Sequence, residues 1–440
     1  MEFVTAALLI VYFSVCLGIG WISRRHKGSE DFFLARRTLG IFSVAGSSAA
    51  GYIGANFLLI NMSFVYLYGI SAAWMFVGFL IGFILFSRFG IFLKKHADRK
   101  RYFTLSDYFH DRHGRVLAGL ATFSVFVIYF GAVVNQYVGG AKVLHQISGW
   151  PYLISLLLIA VTVAAYLILG GFRSVIRTDT FQIILIILLP LLLIVSVSRG
   201  ISLPAEYFNP LNAGIINIIA FLLYGFFNNF VYAELWQRVY AAKDTKTIKI
   251  AFPIAGAIIF AVGIMVTYIG LLVRSSFPAI DPDLTAVYGI TRIVPSSLLI
   301  VALIFLFAAI MSSIDTVLFV LSTLISRDIL PHSNHPYRMI LYGRISIAFI
   351  SSLAVLAAYL FPRMLDIAIL YSAVGLIMGP LVVVSWLSKK PNRKAMIISY
   401  LVTLLVLLIL VLGFGIIHPG LGLVTIVLNA LVYLILFRWV

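Results

Sequence analysis

Cysteine occurs once in this 440-residue chain, at Cys16. A single thiol excludes a disulfide framework and a thiolate metal cluster, and leaves only the reading of a buried apolar side chain. Charge is also scarce. Only 11% of residues are charged, and 15 acidic residues stand against 32 basic ones. Polar stretches long enough to build a soluble domain are missing. So are the H-E-x-x-H and G-x-S-x-G signatures, a phosphate-binding glycine loop and any paired histidine cluster, so an enzyme is not expected. What fills the chain instead is hydrocarbon, with 62% hydrophobic residues and a mean hydropathy of +1.09. No globule of this size has interior enough to hide that much apolar surface. The sequence reads as an all-α, multi-pass protein of the plasma membrane, with the lipid bilayer as its solvent.

Crossing about 30 Å of hydrocarbon takes roughly 20 apolar residues, and about thirteen such stretches run between residues 3 and 437. The first lacks the basic start and small-residue cleavage site of a signal peptide and is followed by Arg24-Arg25-His26-Lys27, so it reads as a membrane helix. Lysine and arginine set the orientation. With the N-terminus outside and the C-terminus cytoplasmic, 27 of the 32 basic residues fall on inward connections, and Lys142, Arg199, Arg274, Arg292 and Arg363 remain outside. Topology therefore accounts for the net charge of +17. A nucleic-acid partner would need those charges gathered on one soluble surface, and none is expected.

The polar run from Ala309 to Thr316, Ala-Ile-Met-Ser-Ser-Ile-Asp-Thr, lies deep inside apolar sequence. Hydroxyls and a carboxylate at that depth are costly and usually face a cavity or an ion path. Small and amide residues also interrupt two other stretches, from Gly46 to Asn56 and from Tyr224 to Asn229. Such residues let carbonyls leave the helical ladder beside a cavity, although they also permit close helix packing. The two interruptions lie five helices apart. They divide the chain into an extra N-terminal helix and loop (1–38), a five-helix repeat (39–200), a second, inverted five-helix repeat (201–390) and two C-terminal helices (391–440). This is the inverted-repeat pattern of secondary transporters, whose site lies between broken helices.

Further elements carry a family resemblance. The segments Glu30 to Arg37, Gly170-Gly171-Phe172-Arg173-Ser174-Val175-Ile176-Arg177-Thr178-Asp179-Thr180-Phe181-Gln182, Gln237 to Asp244, Ala309 to Asp328 and Gly69 to Trp74 resemble, in order, motifs of the solute:sodium symporters. That family includes proline, glucose and sialic acid transporters. The second segment is the most specific, resembling the signature GG-x-x-x-V-x-x-T-D-x-x-Q. The resemblance runs from about residue 5 to residue 390. It implies a leucine-transporter type fold with a 5+5 inverted-repeat core and broken first and sixth core helices. Three departures stand out: Arg36 where glycine is frequent, Tyr52 in place of the polar residue that the proline permease carries in its first broken helix, and Val231-Tyr232-Ala233 in place of a sugar-binding T-D-Q element.

Sodium is the cofactor this reading requires. A hard cation wants about five or more oxygens, and Ala309, Ser312 and Ser313 lie at i, i+3 and i+4 on one helix face. Their carbonyl and two hydroxyls could converge. The alternative is that the serines bond back to the preceding turn. The resemblance supplies the other two ligands, the carbonyls of Ala50 and Ile53. It also implies a possible second cation site at Asp179, Asp315 and Thr316. Asp179 reads equally as a helix-start charge, and Glu234 and Asp366 read as interfacial or helix-end charges. Ser47, Tyr52, Asn56, Asn135, Gln136, Tyr224, Asn228 and Asn229 are candidate contacts, a mixture of aromatics and amides that suits a small polar or zwitterionic solute, and the lack of an arginine clearly in the pocket argues against a dianionic one. The expectation is a sodium-coupled symporter acting as a monomer, with an amino acid such as proline favoured and a sugar or monocarboxylate possible. A proton-coupled symporter, or a channel or sensor on the same scaffold, is the alternative.

Overall fold

The computed structural model describes residues 2–24, 28–54, 56–197, 203–295, 298–330 and 335–439. Arg25, His26, Lys27, Ala55 and Arg199 are not among them. The described residues are helical apart from turns and one parallel bridge between Leu39 and Ala242. In order, the helices are α1 (Glu2–Ile22), α2 (Ser29–Leu34), α3 (Ile41–Tyr52), α4 (Asn61–Tyr68), α5 (Trp74–Lys100), α6 (Leu105–His113), α7 (Arg115–Ser148), α8 (Tyr152–Val197), α9 (Gly214–Val231), α10 (Ala233–Ala241), α11 (Thr245–Ser276), α12 (Thr285–Tyr288), α13 (Leu299–Leu324), α14 (Pro336–Leu360), α15 (Met364–Leu376), α16 (Met378–Leu387), α17 (Arg393–Leu408) and α18 (Leu421–Trp439).

Among the described residues, nine helical spans are long and apolar enough to cross a membrane. Two of the nine contain a break. Within Asn56–Lys100, Gly69 takes φ +63° and ψ −152° between α4 and α5. Within α8, Gly171 takes φ +54° and ψ −150°. At Gly171 the Ser174 hydroxyl reaches the carbonyl of Tyr166, eight residues earlier, at 3.4 Å. Eight residues of straight helix would separate them by about 12 Å, so the chain turns sharply there. A side chain at Gly171 would also meet the Phe32 ring at 2.6 Å, so the left-handed backbone and the close approach both call for glycine.

The expected interruption at Tyr224 to Asn229 is not there. α9 runs unbroken through those residues and ends at Tyr232, with φ −75° and ψ +104°, before α10 begins. Gly225 serves packing. A Cβ there would run into the Met75 carbonyl, and one at Gly78 into the Leu222 carbonyl, so α5 and α9 cross with their backbones nearly in contact. The Asn229 amide donates to the Gly225 carbonyl of its own helix at 2.8 Å and reaches the Phe79 carbonyl of α5 at 3.4 Å.

α13 runs through the interior, almost wholly buried. Large apolar side chains such as Phe349 on α14, Leu405 on α17 and Leu434 on α18 stand exposed on the periphery, the surface that lipid covers. At one end, the Leu39 N–H donates to the Ala241 carbonyl (3.0 Å) and the Lys243 N–H to the Leu39 carbonyl (2.9 Å), tying the start of α3 to the end of α10.

Candidate functional site

The interruption in α3 lies directly against α13. The Ile53 N–H still donates to the Ala49 carbonyl at 3.0 Å, but the Gly54 N–H, which would complete the ladder at Ala50, turns to the Tyr52 carbonyl at 3.2 Å. The chain then resumes as a wide turn over Asn56–Ile60 and α4. The Ser313 hydroxyl donates to the Gly51 carbonyl at 2.7 Å. Gly54 has no room for a side chain, since a Cβ would overlap Ser313 and lie 2.7 Å from Gln136 Nε2. Ala50, Ile53, Ala309, Ser312 and Ser313 are all buried around this junction.

Beside it sits a charged group with no exposure to solvent. Asp179 Oδ1 accepts from the Ser312 hydroxyl at 2.6 Å, and Oδ2 accepts from the Ser47 hydroxyl at 2.5 Å and from Arg238 Nη2 at 3.2 Å. Arg238 also donates to Ser47 Oγ (2.9 Å), Thr316 Oγ1 (3.0 Å) and the Glu234 carbonyl (3.2 Å). Both charged side chains are fully buried. A buried ion pair persists only when its remaining donors and acceptors are satisfied, and four helices, α3, α8, α10 and α13, supply those partners.

Asp179 is therefore not a helix-start residue. It lies seven residues beyond Phe172, where α8 resumes after Gly171, and its carboxylate points across to α3 and α13. The expected grouping with Asp315 and Thr316 is divided. Thr316 shares the Arg238 guanidinium with Asp179, whereas Asp315 Oδ2 accepts from Tyr166 at 2.8 Å and Thr178 at 3.0 Å. Adjacent residues of α8 thus hold two residues of α13 one turn apart: Thr178 holds Asp315 and Asp179 holds Ser312. Ser312 and Ser313 give their protons to Asp179 and to the Gly51 carbonyl, and the lone pairs on their oxygens could face a cation.

The candidate solute contacts scatter. Tyr52 packs edge-on against Phe79 and Phe83, with centroids at 5.1 and 5.5 Å, and tilts against Tyr232 at 5.2 Å. Asn135 donates to Asn56 at 2.9 Å, and Gln136 borders Gly54. Tyr224 meets Ser372 at 3.4 Å and lines a cavity of about 40 Å³ between α4, α9, α15 and the start of α18, together with Asn217 and Tyr68. The Asn228 carbonyl closes α9 by accepting from Tyr232. Two candidates face elsewhere. Ser47 belongs to the Asp179 network, and Asn229 braces α9 against α5.

Sequence reasoning missed Arg238, which it counted among inward loop charges and which is entirely buried. Glu234, read as a helix-end or interfacial charge, does sit in the first turn of α10 but is buried, with its N–H held by Tyr129 at 2.9 Å. The available signal was local. Gln237 and Arg238 follow Leu235 and Trp236 in an apolar turn, where a solvated loop would have been polar.

A bundle of membrane-spanning helices, one of them interrupted against a central serine pair, is the architecture of a transporter. The chain belongs to the sodium:solute symporter family, whose family model matches residues 32–403. It is 29% identical over 197 residues to the sodium/pantothenate symporter of Escherichia coli, a match covering 43% of this chain and 40% of that protein. It is 31% identical over 200 residues to the Escherichia coli sodium/proline symporter, covering 42% and 39%. The matched segments thus span about two fifths of these relatives. A substrate-bound, outward-open sodium-coupled sialic acid symporter superposes with a TM-score of 0.85 at 17% identity, covering 99% of this chain and 97% of that one. A nucleobase–cation symporter in a closed conformation superposes with a TM-score of 0.60 at 12% identity, covering 95% and 96%. The fold is of the leucine-transporter type.

Proposed function

We propose that this protein is a sodium-coupled symporter of a small polar organic solute, working by alternating access. The observation that carries the reading is the junction at Gly51 to Gly54, where the α3 ladder stops against Ser312 and Ser313 beside Asp179. Sodium would take the carbonyls of Ala50, Ile53 and Ala309 and the hydroxyls of Ser312 and Ser313, giving the five-oxygen shell a small hard cation needs without stranding a full charge. The Arg238 guanidinium already occupies the space between Asp179, Ser47 and Thr316, which supports one sodium per cycle in place of two. Coupling to the membrane potential supplies about 2.3 kcal/mol per charge per 100 mV. An amino acid such as proline, or a monocarboxylate of pantothenate type, fits the amide-and-aromatic surroundings of Asn56, Asn135 and Tyr224.

The same reading takes thirteen crossings. Asn56–Lys100 and α8 each count twice across their glycine breaks, and α1 and α18 are added to the nine spans. α3–α4 and α9–α10 then become the broken first and sixth helices of two inverted repeats, with the N-terminus outside and the C-terminus cytoplasmic. In a background with Cys16 replaced, single cysteines at Ser106, Asn392 and Glu206 test this: only the last should react with an impermeant thiol reagent in intact cells. The function is tested by a proteoliposome uptake panel of proline, other amino acids, sugars and monocarboxylates, with and without a sodium gradient. Uptake of every solute indifferent to sodium would overturn it.

A further inference from the structure

A second, smaller cavity, of about 20 Å³, lies at the far end of α13, between the start of α6, α7, α10 and the turn at Ile325–Ile329. Oxygen-bearing side chains alternate in its lining with apolar ones such as Phe103, Val125 and Leu324. Asp328 Oδ1 accepts from the Thr104 hydroxyl at 3.0 Å, while its Oδ2 is buried without a hydrogen-bond partner. Gln237, 4% exposed, donates from Nε2 to the Phe33 carbonyl at 3.1 Å and to Thr323 Oγ1 at 3.5 Å, which leaves Oε1 buried and likewise unpartnered. The Thr323 hydroxyl gives its proton to the Phe319 carbonyl, and the Thr122 hydroxyl gives its proton to Ser106.

Two buried acceptors at the cavity, Asp328 Oδ2 and Gln237 Oε1, therefore keep lone pairs with no donor on them. Buried acceptors without partners are costly and call for an explanation such as a bound ion. Arg327, next to Asp328 in sequence, stacks its guanidinium over the Phe103 ring at 3.9 Å, and among the described residues Asp328 makes no salt bridge. An anion would meet the Asp328 carboxylate and the Gln237 carbonyl oxygen. A soft metal would find no sulfur or imidazole among the lining residues. One carboxylate with amide and hydroxyl oxygens, in a space larger than a bare ion, suits a partly hydrated hard monovalent cation.

The cavity also lies in line with the serine junction. Ser312, Thr316, Val320 and Thr323 recur every three to four residues along one side of α13, and Asp328 follows in the wide turn Ile325–Ile329, sixteen steps and roughly 24 Å beyond Ser312. Thr316 holds Arg238, and the preceding residue, Gln237, lines the cavity.

We infer that Asp328 Oδ2 and Gln237 Oε1 form a second sodium site, a way station for the ion after it leaves Ser312 and Ser313. The inference rests on the proposed symport for its role, but its existence is tested without transport. Radiolabelled sodium is bound at equilibrium to the purified full-length chain in detergent. Wild type should bind in two classes. Asp328→Asn, which keeps an acceptor for Thr104, should abolish one class, and the pair Ser312→Ala and Ser313→Ala should abolish the other. If Asp328→Asn binds as much sodium as wild type with the same affinity, the site is overturned. If only the serine variants leave binding unchanged, the symport site fails and the Asp328 site stands. Should Asp328→Asn not remain monodisperse, Gln237→Leu replaces it: half-saturation of the second class should rise at least about threefold, and an unchanged class overturns the inference.

Discussion

Two groups of charges sit in this protein, and they behave as opposites. At the end of the bundle where α3 begins, Glu30 accepts from Arg37 (2.7 Å) and Arg101 (3.1 Å), and Asp31 pairs with Arg173 (2.8 Å) and Arg36 (3.5 Å). Glu30 is 39% and Arg101 68% exposed, so water shares the load. In the middle, Asp179 and Arg238 are both 0% exposed and depend on Ser47, Ser312, Thr316 and the Glu234 carbonyl. The first group is spread over many partners and can lose one. The second has one cation, and its geometry is tied to the serine that would hold sodium. Packing together ion pair, hydroxyl and interrupted helix means that a change at any one of them is felt by the others.

The sharpest way to break this contrast is Arg238→Met. It leaves the buried Asp179 carboxylate without its cation and should cost about 3–5 kcal/mol, seen as a large fall in the melting temperature of the detergent-solubilised protein. Adding Asp179→Asn should recover much of the loss, because removing both charges is far cheaper than stranding one. If the double variant melts no higher than Arg238→Met alone, the two side chains are not the coupled unit described.

Smaller effects on stability, and larger ones on transport, are expected at the serines. Ser312→Ala or Ser313→Ala removes one of about five sodium oxygens, so the sodium concentration for half-maximal uptake should rise about tenfold while protein abundance hardly changes. Wild-type sodium dependence in both variants would remove these serines from the ion site. Asp179→Asn keeps size and hydrogen bonding, and Arg238 retains three other acceptors. Turnover should fall more than about tenfold with solute binding retained. Uptake within about twofold of wild type would show that the carboxylate takes no part in passing the ion.

The all-helical, multi-pass character was legible because lipid imposes a simple code of long apolar runs. The α3 interruption was legible too, since Gly51 and Gly54 sit among small residues and Gly54 has a steric reason to be glycine. The second interruption was misplaced because Gly225 carries the same letter for a different reason, the approach of α5 to α9. A close crossing and a broken ladder look alike in one sequence, and only the partner helix tells them apart. The break at Tyr232 carries no glycine or proline at all. Arg238 was missed for a related cause: a basic residue near a helix end ordinarily marks the membrane surface, and its burial depends on Asp179, 59 residues away.

The smallest expected effect lies in the exposed group, and it sharpens the contrast by its size. Burial pushes the Glu30 carboxyl up, but Arg37 and Arg101 outweigh that and hold it below the usual carboxylate range. A carboxyl lowered by folding stabilises the folded state above its unfolded-state pKa, and the contribution disappears as pH falls through the folded-state value. Arg101→Ala removes the more exposed of its two partners. Solvent screening limits the loss to under about 1 kcal/mol at neutral pH. The difference in melting temperature between wild type and Arg101→Ala should therefore be small, should shrink further as pH drops through the acid range where Glu30 takes up its proton, and should shrink with added salt. A loss as large as that of Arg238→Met, or one insensitive to salt, would place Glu30 and Arg101 in the same buried class as Asp179 and Arg238 and erase the distinction.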